Sequence, residues 1–455
     1  MPSERTLIRD GLVVTMDAGR RVVGGGAVMI EGDRIAAVGG VDEVLRYGKP
    51  DRIIEARNSI VMPGLICAHT HLYGIALRGA ALNIKQPSDF LQILQRVWWP
   101  LDEKLNNDDA YATALAACME FALSGTTTFA DTYSAPNGIE GSLDRIAEAV
   151  NRVGIRGVIS FEATERRSEE EGRRGLGENI RFLKRGDKGR AIGMISLHAS
   201  FTISDDLIRS GVEAAEKYNA PLTIHVSEGP NDVYHNIERY GKRTVERLRD
   251  VGLLSERAVL AHCVHLSVEE IKLLSETKTN VAHNPMSNML NAVGVQPLPE
   301  MLANGVNVSL GNDGYVFDMF ENMRSCFLLH RVARRDPGVV SAQKMVEMAT
   351  VDAARAYGLR ELGSLEPGKK ADIIIIRPKI LATPLTGSPY NYIVNGIKGG
   401  DVTHVFVDGE LIAENQRLLK VAQEEAEKEV LGAVERLWER LGASPPEAVE
   451  PLKLK

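Results

Sequence analysis

Short apolar runs alternate with longer stretches of helical periodicity between residues 62 and 365. Strand-like runs that alternate with helical patterns indicate βαβ units and a parallel sheet. Eight such units predict the α/β class and a (β/α)8 TIM barrel. The predicted barrel strands are residues 65–71, 126–132, 157–163, 192–200, 222–228, 258–265, 280–284 and 306–313.

The segments on either side of these runs have a different pattern. Residues 5–61 hold short β-branched runs separated by glycine-containing turns, which is typical of a small antiparallel sheet, and residues 367–413 resume that pattern. The sequence alone leaves them as two separate sheets. Residues 421–441 place apolar side chains at helical spacing among alternating charges, which predicts an exposed amphipathic helix, followed by a loose tail at Pro445-Pro446.

Metal-binding groups stand at the ends of several apolar runs. His69 and His71 are two residues apart, so on a strand both side chains project from one face, as a metal chelate requires. Alone, the pair would be two unrelated loop histidines, but His225, His262 and Asp313 end three further runs. Catalytic residues gather at that end of barrel strands. Three imidazoles and a carboxylate suit Zn²⁺ and also accept Fe²⁺ or Mn²⁺.

Together these motifs resemble the amidohydrolase superfamily, in particular its metal-dependent deaminase and chlorohydrolase branch, and two further elements resemble the SsnA aminohydrolases. The superfamily motifs are His69-Thr70-His71 after Pro63-Gly64, His225-Val226-Ser227-Glu228, His262-Cys263-Val264-His265, Asn284-Pro285-Met286-Ser287-Asn288 and Leu310-Gly311-Asn312-Asp313-Gly314. The SsnA-like elements are Trp98-Trp99-Pro100-Leu101-Asp102 and Gly314-Tyr315 with Asp318-Met319-Phe320. The resemblance implies a composite β-sandwich of residues 1–61 and 366–420, a metal-dependent barrel of residues 62–365, and a C-terminal helix and tail of residues 421–455.

The resemblance also implies roles for individual residues. The expected metal ligands are His69, His71, His225 and Asp313. His262 fits either a ligand or a neighbour of the metal, and the resemblance favours a neighbour that contacts the attacking water or the departing group. Glu228 is placed to act as general acid and base, although out of this context it would be a solvated loop carboxylate. Asp313 is expected to pass a proton from the water to the leaving amine. His198 is expected to bind substrate, and a core histidine fits the sequence equally well.

The fourth run contains no lysine. Members of the superfamily that open cyclic amides carry a carboxylated lysine there that bridges two metals, so one metal ion per chain and deamination are favoured. The leading hypothesis is hydrolytic deamination of a purine-, pterin- or pyrimidine-like ring: metal-bound hydroxide attacks the amine-bearing carbon, Glu228 protonates the ring nitrogen, and ammonia leaves. The alternatives are a cyclic amidohydrolase, which releases no ammonia, and a metal-binding scaffold without turnover.

The substrate-contacting positions are less determined. Asn312 stands where the branch usually has threonine, and Met289-Leu290-Asn291 replaces the usual lysine-bearing continuation, so both changes are expected to reshape the pocket. Trp98-Trp99 fit a pocket wall or simple packing. Arg166 or Arg167 fits contact with an anionic substrate group, or a solvated loop.

Composition and charge narrow the partners. A net charge of −7 over 455 residues, without a basic block, indicates neither a nucleic-acid nor a membrane surface and favours a small substrate, which the family resemblance implies is a heterocycle. The four cysteines are scattered and form no Cys-x-x-Cys pair, and three lie in or near apolar runs, where a thiol behaves as a small hydrophobe. Cys67 and Cys263 stand beside candidate ligands, so a thiolate ligand is the alternative, although strand alternation turns Cys263 away from His262. The first residues do not show the basic segment and apolar core expected of a signal sequence, and no apolar stretch reaches about 18 residues. The sequence predicts a cytoplasmic homo-oligomer.

Overall fold

The computed structural model describes residues 4–379, 383–385 and 387–443. The chain begins with five strands, β1 (Arg5–Val14), β2 (Val22–Glu31), β3 (Arg34–Gly40), β4 (Arg52–Glu55) and β5 (Ile60–Pro63). β1 pairs antiparallel with β2 and parallel with β4 and β5. The N-terminal sheet is therefore mixed, which corrects the prediction of a purely antiparallel one. A parallel partner needs a crossover connection, and the chain makes it through β2, β3 and the segment before β4.

The barrel follows directly. Its strands are β6 (Leu65–Thr70), β7 (Thr126–Tyr133), β8 (Arg156–Ala163), β9 (Ala191–Gly193), β10 (Ile195–Ala199), β11 (Leu222–Val226), β12 (Ala258–His262), β13 (Asn280–His283) and β14 (Val308–Leu310). The parallel order β14-β13-β12-β11-β10-β8-β7-β6 confirms the eight predicted runs, and the fourth run is divided between β9 and β10. Backbone N–H groups of Asn312 and Asp313 donate to the His69 carbonyl at 2.9 and 3.2 Å and thereby connect the last strand to the first.

Four strands that follow the barrel in the sequence complete the first sheet. They are β15 (Ile373–Ile376), β16 (Val402–Val407), β17 (Glu410–Glu414) and β18 (Arg417–Leu418). β15 pairs antiparallel with β5, so the two terminal segments form one nine-stranded mixed sheet. This confirms the predicted composite β domain beside a TIM barrel.

The β domain and the barrel share a core through β15. Ile373 and Ile375 pack in the cluster inside the β domain, whereas Ile374 and Ile376 pack in the large cluster that includes the barrel core. Both faces of β15 are therefore covered, which explains its unbroken run of isoleucines. At Gly64, just before β6, a Cβ atom would lie 2.2 Å from the Thr127 side chain, so the Pro-Gly break allows the two units to approach closely.

Most helices pack around the barrel strands, whereas the first helix packs against β2 and β3 of the terminal sheet. They are α1 (Val41–Leu45), α2 (Phe90–Ile93), α3 (Trp99–Lys104), α4 (Asn107–Leu123), α5 (Ser142–Val153), α6 (Glu169–Lys184), α7 (Asp205–Tyr218), α8 (Pro230–Tyr240), α9 (Thr244–Asp250), α10 (Val268–Glu276), α11 (Pro285–Leu290), α12 (Leu298–Ala303), α13 (Met319–Arg334), α14 (Ala342–Met348), α15 (Val351–Ala356), α16 (Pro389–Gly396) and α17 (Gln423–Leu441). Within the described ranges, no helix has both the length and the apolar character needed to cross a membrane.

α17 is the amphipathic helix that the sequence predicts. Its buried side includes Leu437, and Trp438 donates its indole N–H to the Ala76 carbonyl at 2.7 Å. Arg440 forms an ion pair with Asp109 of α4. The helix is thus held against the segment that follows His71 on the barrel rim. The predicted tail at residues 444–455 lies outside the described residues.

Candidate metal centre and active site

Four side chains from three different strand ends converge at the carboxyl end of the barrel. They are His69 and His71 at the end of β6, His225 in β11 and Asp313 after β14, and their ligand atoms lie within 4.8 Å of one another. His69 Nε2 lies 3.0 Å and His71 Nε2 3.2 Å from Asp313 Oδ1. His71 Nε2 lies 3.2 Å from His225 Nε2. The strand-end positions therefore bring these groups to one point, as parallel strands require.

The other nitrogens of two of these histidines contact backbone carbonyls. His71 Nδ1 lies 2.9 Å from the Thr132 carbonyl, and His225 Nδ1 lies 2.7 Å from the His198 carbonyl. An Nδ1–H that donates to a carbonyl leaves the Nε2 lone pair for a metal, which is the usual arrangement around ligating histidines. The geometry thus fits the donor set of three imidazoles and one carboxylate.

The charges of the site also fit a cation. Burial lowers the pKa of His69 to about 4, which keeps that imidazole neutral as a ligand must be. Burial opposes a charge on His71, yet the nearby Glu162 and Asp313 carboxylates raise its pKa to about 10. The carboxylates that favour a proton on His71 would equally attract a divalent ion, which would take the place of that proton on the imidazole. The residues present therefore fit a divalent metal ion.

Glu228 and His262 lie beside the four candidate ligands. His262 Nε2 lies 3.5 Å from Glu228 Oε2 and 3.6 Å from Asp313 Oδ1. Burial raises the pKa of Glu228 to about 8. Glu228 follows Ser227, which has a positive φ of 48° and donates its backbone N–H to Asp232 Oδ2 at 2.6 Å. A pocket lies at the carboxyl end of the barrel beside the candidate ligands. The loop after β11 is therefore fixed so that the Glu228 carboxyl group faces this pocket.

His262 occupies a special backbone position. β12 ends at His262, and both His262 (φ 70°) and Cys263 (φ 52°) have left-handed backbone conformations. The alternation of side chains along a strand therefore does not determine where Cys263 and His265 point, because the strand ends before them. His265 does point away from the ligands, since its Nε2 donates to the Val293 carbonyl at 2.7 Å. The turn at the end of β12, and not the alternation of side chains along a strand, makes His262 and His265 point in different directions.

Two groups of His198, its backbone carbonyl and its imidazole, make contacts at this end of the barrel. Its carbonyl accepts from His225, and its imidazole lines the pocket with Nδ1 2.7 Å from Thr202 Oγ1. Burial lowers the pKa of the His198 imidazole well below its ordinary value, so the ring is neutral. A substrate-binding role is compatible with this position and stays a prediction.

Sequence reasoning missed several pocket residues. Asp102 and Glu162 both line the pocket, and Arg166 donates to Asp102 Oδ2 at 2.7 Å. The Arg166 guanidinium also lies 5.3 Å from the Trp99 ring centroid. Arg166 is therefore a largely covered side chain, paired with Asp102, rather than part of a solvated loop. Glu162 is the penultimate residue of β8, so its position near a strand end was the signal that could have identified it.

A second histidine pair lies outside the barrel wall. His283 Nε2 of β13 lies 3.0 Å from His330 Nε2 of α13, with Cys326 nearby. Unlike His71 and His225, both histidines have an Nδ1 atom that is buried and without a hydrogen-bond partner among the described residues. The Nδ1 atom of His69 is also without a described partner, so this difference separates the pair from His71 and His225 only. We interpret the pair as a hydrogen-bonded link between β13 and α13.

Comparison with known proteins identifies the family. The amidohydrolase family model matches residues 60–412. The 5'-deoxyadenosine deaminase of Methanosarcina mazei is 36% identical over 445 residues, which cover 96% of this chain and 99% of that protein. The 5-methylthioadenosine/S-adenosylhomocysteine deaminase of Carboxydothermus hydrogenoformans is 35% identical over 405 residues, covering 87% and 90% of the two chains.

Solved structures give the same fold. An adenosine deaminase from Xanthomonas campestris with bound zinc has a TM-score of 0.87 at 23% identity, covering 96% of this chain and 99% of that one. Atrazine chlorohydrolase TrzN from Arthrobacter aurescens, complexed with zinc, has a TM-score of 0.82 at 26% identity, covering 94% and 100%.

Fold and site together define a metal-dependent hydrolase that acts on carbon–nitrogen bonds other than peptide bonds. The chain belongs to the amidohydrolase family. The predicted membership of this family and of its deaminase branch is confirmed. So are the predictions of a divalent metal and of a small heterocyclic substrate.

Proposed function

We propose that this protein deaminates the 6-amino group of an adenosine-type purine nucleoside and releases ammonia. The observation that carries the proposal is the close approach of Glu228, His262 and Asp313 beside the candidate metal ligands at the base of the pocket. The names of the relatives, which are deaminases of 5'-deoxyadenosine, methylthioadenosine and S-adenosylhomocysteine, support the purine.

One zinc ion would be held by His69, His71, His225 and Asp313, and iron or manganese would fit the same donors. When bound, such an ion lowers the pKa of water toward about 7 and so makes a nucleophile available at neutral pH. A single ion is supported by β10, which offers His198 and no lysine that could bridge two metals.

The protein side chains account for every proton in the reaction. Protonated Glu228 gives its proton to the ring nitrogen beside the amine-bearing carbon. Asp313 takes one proton from the attacking water and delivers it to the departing amine, which leaves as ammonia. The second proton of the water restores Glu228, and the carbon–oxygen bond becomes the carbonyl of the 6-oxopurine. His262 lies between the two carboxyl groups and is placed to hold the water.

The pocket walls suit a nucleoside. Trp98 and Phe201 provide aromatic surfaces for packing against a ring. Asp102 also lines the pocket, and its Oδ1 atom is buried and accepts no hydrogen bond within the described residues. A sugar hydroxyl donating to this oxygen would remove the cost of leaving it unpaired. Arg166 Nη1 is likewise buried and without a hydrogen-bond partner among the described residues, and it extends the polar edge of the pocket.

Ammonia release tests this proposal. The zinc-loaded protein should convert 5'-deoxyadenosine or methylthioadenosine to the corresponding 6-oxopurine nucleoside and release one ammonia per ring. The loss of adenine absorbance measures the reaction. Hydantoin-like and ureide-like cyclic amides should give no product. Ring opening without ammonia would favour the cyclic amidohydrolase, and metal binding without any turnover would favour an inactive scaffold.

The oligomeric state and the location in the cell stay predictions. We expect a cytoplasmic homo-oligomer, as the sequence predicts. Light scattering of the purified protein measures its mass directly, and a mass equal to one 49.8 kDa chain would contradict the oligomer.

A further inference from the structure

Four consecutive hydrogen bonds run from the pocket wall to the Asp313 carboxylate. Trp98 Nε1–H donates to Tyr315 Oη at 3.2 Å, and Tyr315 Oη–H donates to Asn291 Oδ1 at 3.0 Å. Asn291 Nδ2–H donates to Ser287 Oγ at 3.1 Å, and Ser287 Oγ–H donates to Asp313 Oδ2 at 2.5 Å. These four bonds form a hydrogen-bond chain, which joins residues of three separate segments of the barrel rim.

All four bonds have the same direction. The Trp98 indole can only donate, and the Asp313 carboxylate when ionised can only accept, so the two ends fix the orientation of the groups between them. Tyr315 and Ser287 each receive one hydrogen bond and give one. Hydrogen bonds that point the same way along a chain polarise and strengthen one another. The chain therefore delivers its strongest donor, the Ser287 hydroxyl, to the carboxylate.

The bond from Ser287 determines which oxygen of Asp313 faces the histidines. Oδ2 is occupied by Ser287, and Oδ1 lies 3.0 Å from His69 Nε2 and 3.2 Å from His71 Nε2. The bond from the Asp313 N–H to the His69 carbonyl fixes the backbone of this turn, where φ is 60° at Asp313 and 84° at Gly314, but it does not fix the side-chain torsions that orient the carboxylate. A carboxylate on such a turn needs side-chain contacts to keep one orientation.

Packing leaves little room for the pocket end of the chain to move. A Cβ atom on Gly74 would lie 2.7 Å from the Gly314 carbonyl oxygen and 3.1 Å from Trp98 Cη2. The Trp98 ring centroid lies 5.6 Å from that of Tyr315 in an edge-to-face arrangement. Trp98 therefore cannot shift without disturbing the turn that carries Asp313.

We propose that Trp98, Tyr315, Asn291 and Ser287 are positioning residues that hold the Asp313 carboxylate toward the metal and connect its orientation to the aromatic pocket wall. Trp98 and Asn291 both line the pocket, so a substrate that packs there contacts the first and third members of the chain. The chain is a route by which the pocket wall affects a metal ligand. It rests on the proposed metal centre but on no particular substrate.

Zinc release to an excess of a strong chelator tests this proposal without any substrate. Ser287→Ala removes the donor to Asp313 and should speed release about tenfold, the usual effect of losing a hydrogen bond to a charged group. Tyr315→Phe removes the phenol oxygen, which is two hydrogen bonds away from Ser287 Oγ, and should speed zinc release about threefold. Tyr390→Phe is the matched control, since this half-buried tyrosine donates to the Arg20 carbonyl at 3.5 Å, remote from the site.

The double variant separates a connected chain from simple packing. Tyr315→Phe combined with Ser287→Ala should release zinc no faster than Ser287→Ala alone, because the chain is already broken at its last bond. Effects that multiply would overturn the proposal, as would a Tyr315→Phe rate equal to that of Tyr390→Phe. If Ser287→Ala fails to fold, Trp98→Phe with Tyr315→Phe gives the same comparison. Native protein that binds no zinc would also overturn it, whereas normal zinc binding without purine turnover would contradict only the proposed function.

Discussion

Glu228 is the residue whose replacement separates catalysis from metal binding most cleanly. Glu228 is 8% exposed, and its Oε2 atom lines the pocket 3.5 Å from His262 Nε2. It is therefore free to give its proton to a substrate. Glutamine at this position has the same shape and can still donate a hydrogen bond, but it cannot transfer a proton.

We expect Glu228→Gln to lower kcat by roughly 10²-fold or more, which corresponds to about 2.7 kcal/mol in the barrier. Glu228 is not among the four candidate ligands, so zinc content should be unchanged, and nucleoside binding by calorimetry should be retained. Ammonia release gives the turnover and elemental analysis gives the zinc content. Turnover near the native value would refute the general acid role, and loss of zinc would show that Glu228 is a ligand.

The pH dependence of the same variant adds a second test. Burial raises the pKa of the Glu228 carboxyl group to about 8. The protonated form, which is the acid, therefore predominates below pH 8 and is lost as the pH rises above it. The kcat of the native protein should fall through this range, and the residual activity of Glu228→Gln should not. A fall of equal size in both proteins would assign the titration to another group.

Three further predictions follow from the site and the fold. Purified protein should hold about one metal ion per chain, and Asp313→Ala should lose it because an anionic ligand is removed; two ions bridged by a protein group would contradict the single site. His262→Asn should reduce kcat far more than His265→Asn, which removes only a contact to a backbone carbonyl; equal losses would contradict the geometry at the end of β12. Arg156→Met should leave Asp372 buried without its partner and lower the free energy of unfolding by about 3–5 kcal/mol in chemical denaturation; a smaller change than about 1 kcal/mol would show that the ion pair between barrel and β domain is dispensable.

The barrel strands and the candidate ligands were predictable because both depend on local patterns. Apolar runs of strand length define where each strand ends, and parallel strands bring those ends to one edge of the sheet. His69, His71, His225 and Asp313 all stand at such ends, so their convergence followed from the barrel topology. The pairing of the two terminal segments came from the family resemblance, since nothing local in β5 or β15 specifies its partner.

Other features depend on contacts between distant segments. Arg166 pairs with Asp102 across 64 residues of sequence, and Trp98 reaches Tyr315 across 217. Loops of the barrel rim determine these contacts, and their conformations follow no hydrophobic period. The direction of His262 likewise depends on two left-handed residues that no strand pattern predicts.

The sequence by itself predicted the barrel, the proposed metal ligands and the candidate acid Glu228, because strand periodicity places strand-end residues together. Only the tertiary structure decided which oxygen of Asp313 faces the histidines, and which side chains hold it there. The chain through Ser287 and Asn291 exists because folded loops bring unrelated donors and acceptors within hydrogen-bond distance in a buried region, where each must find a partner.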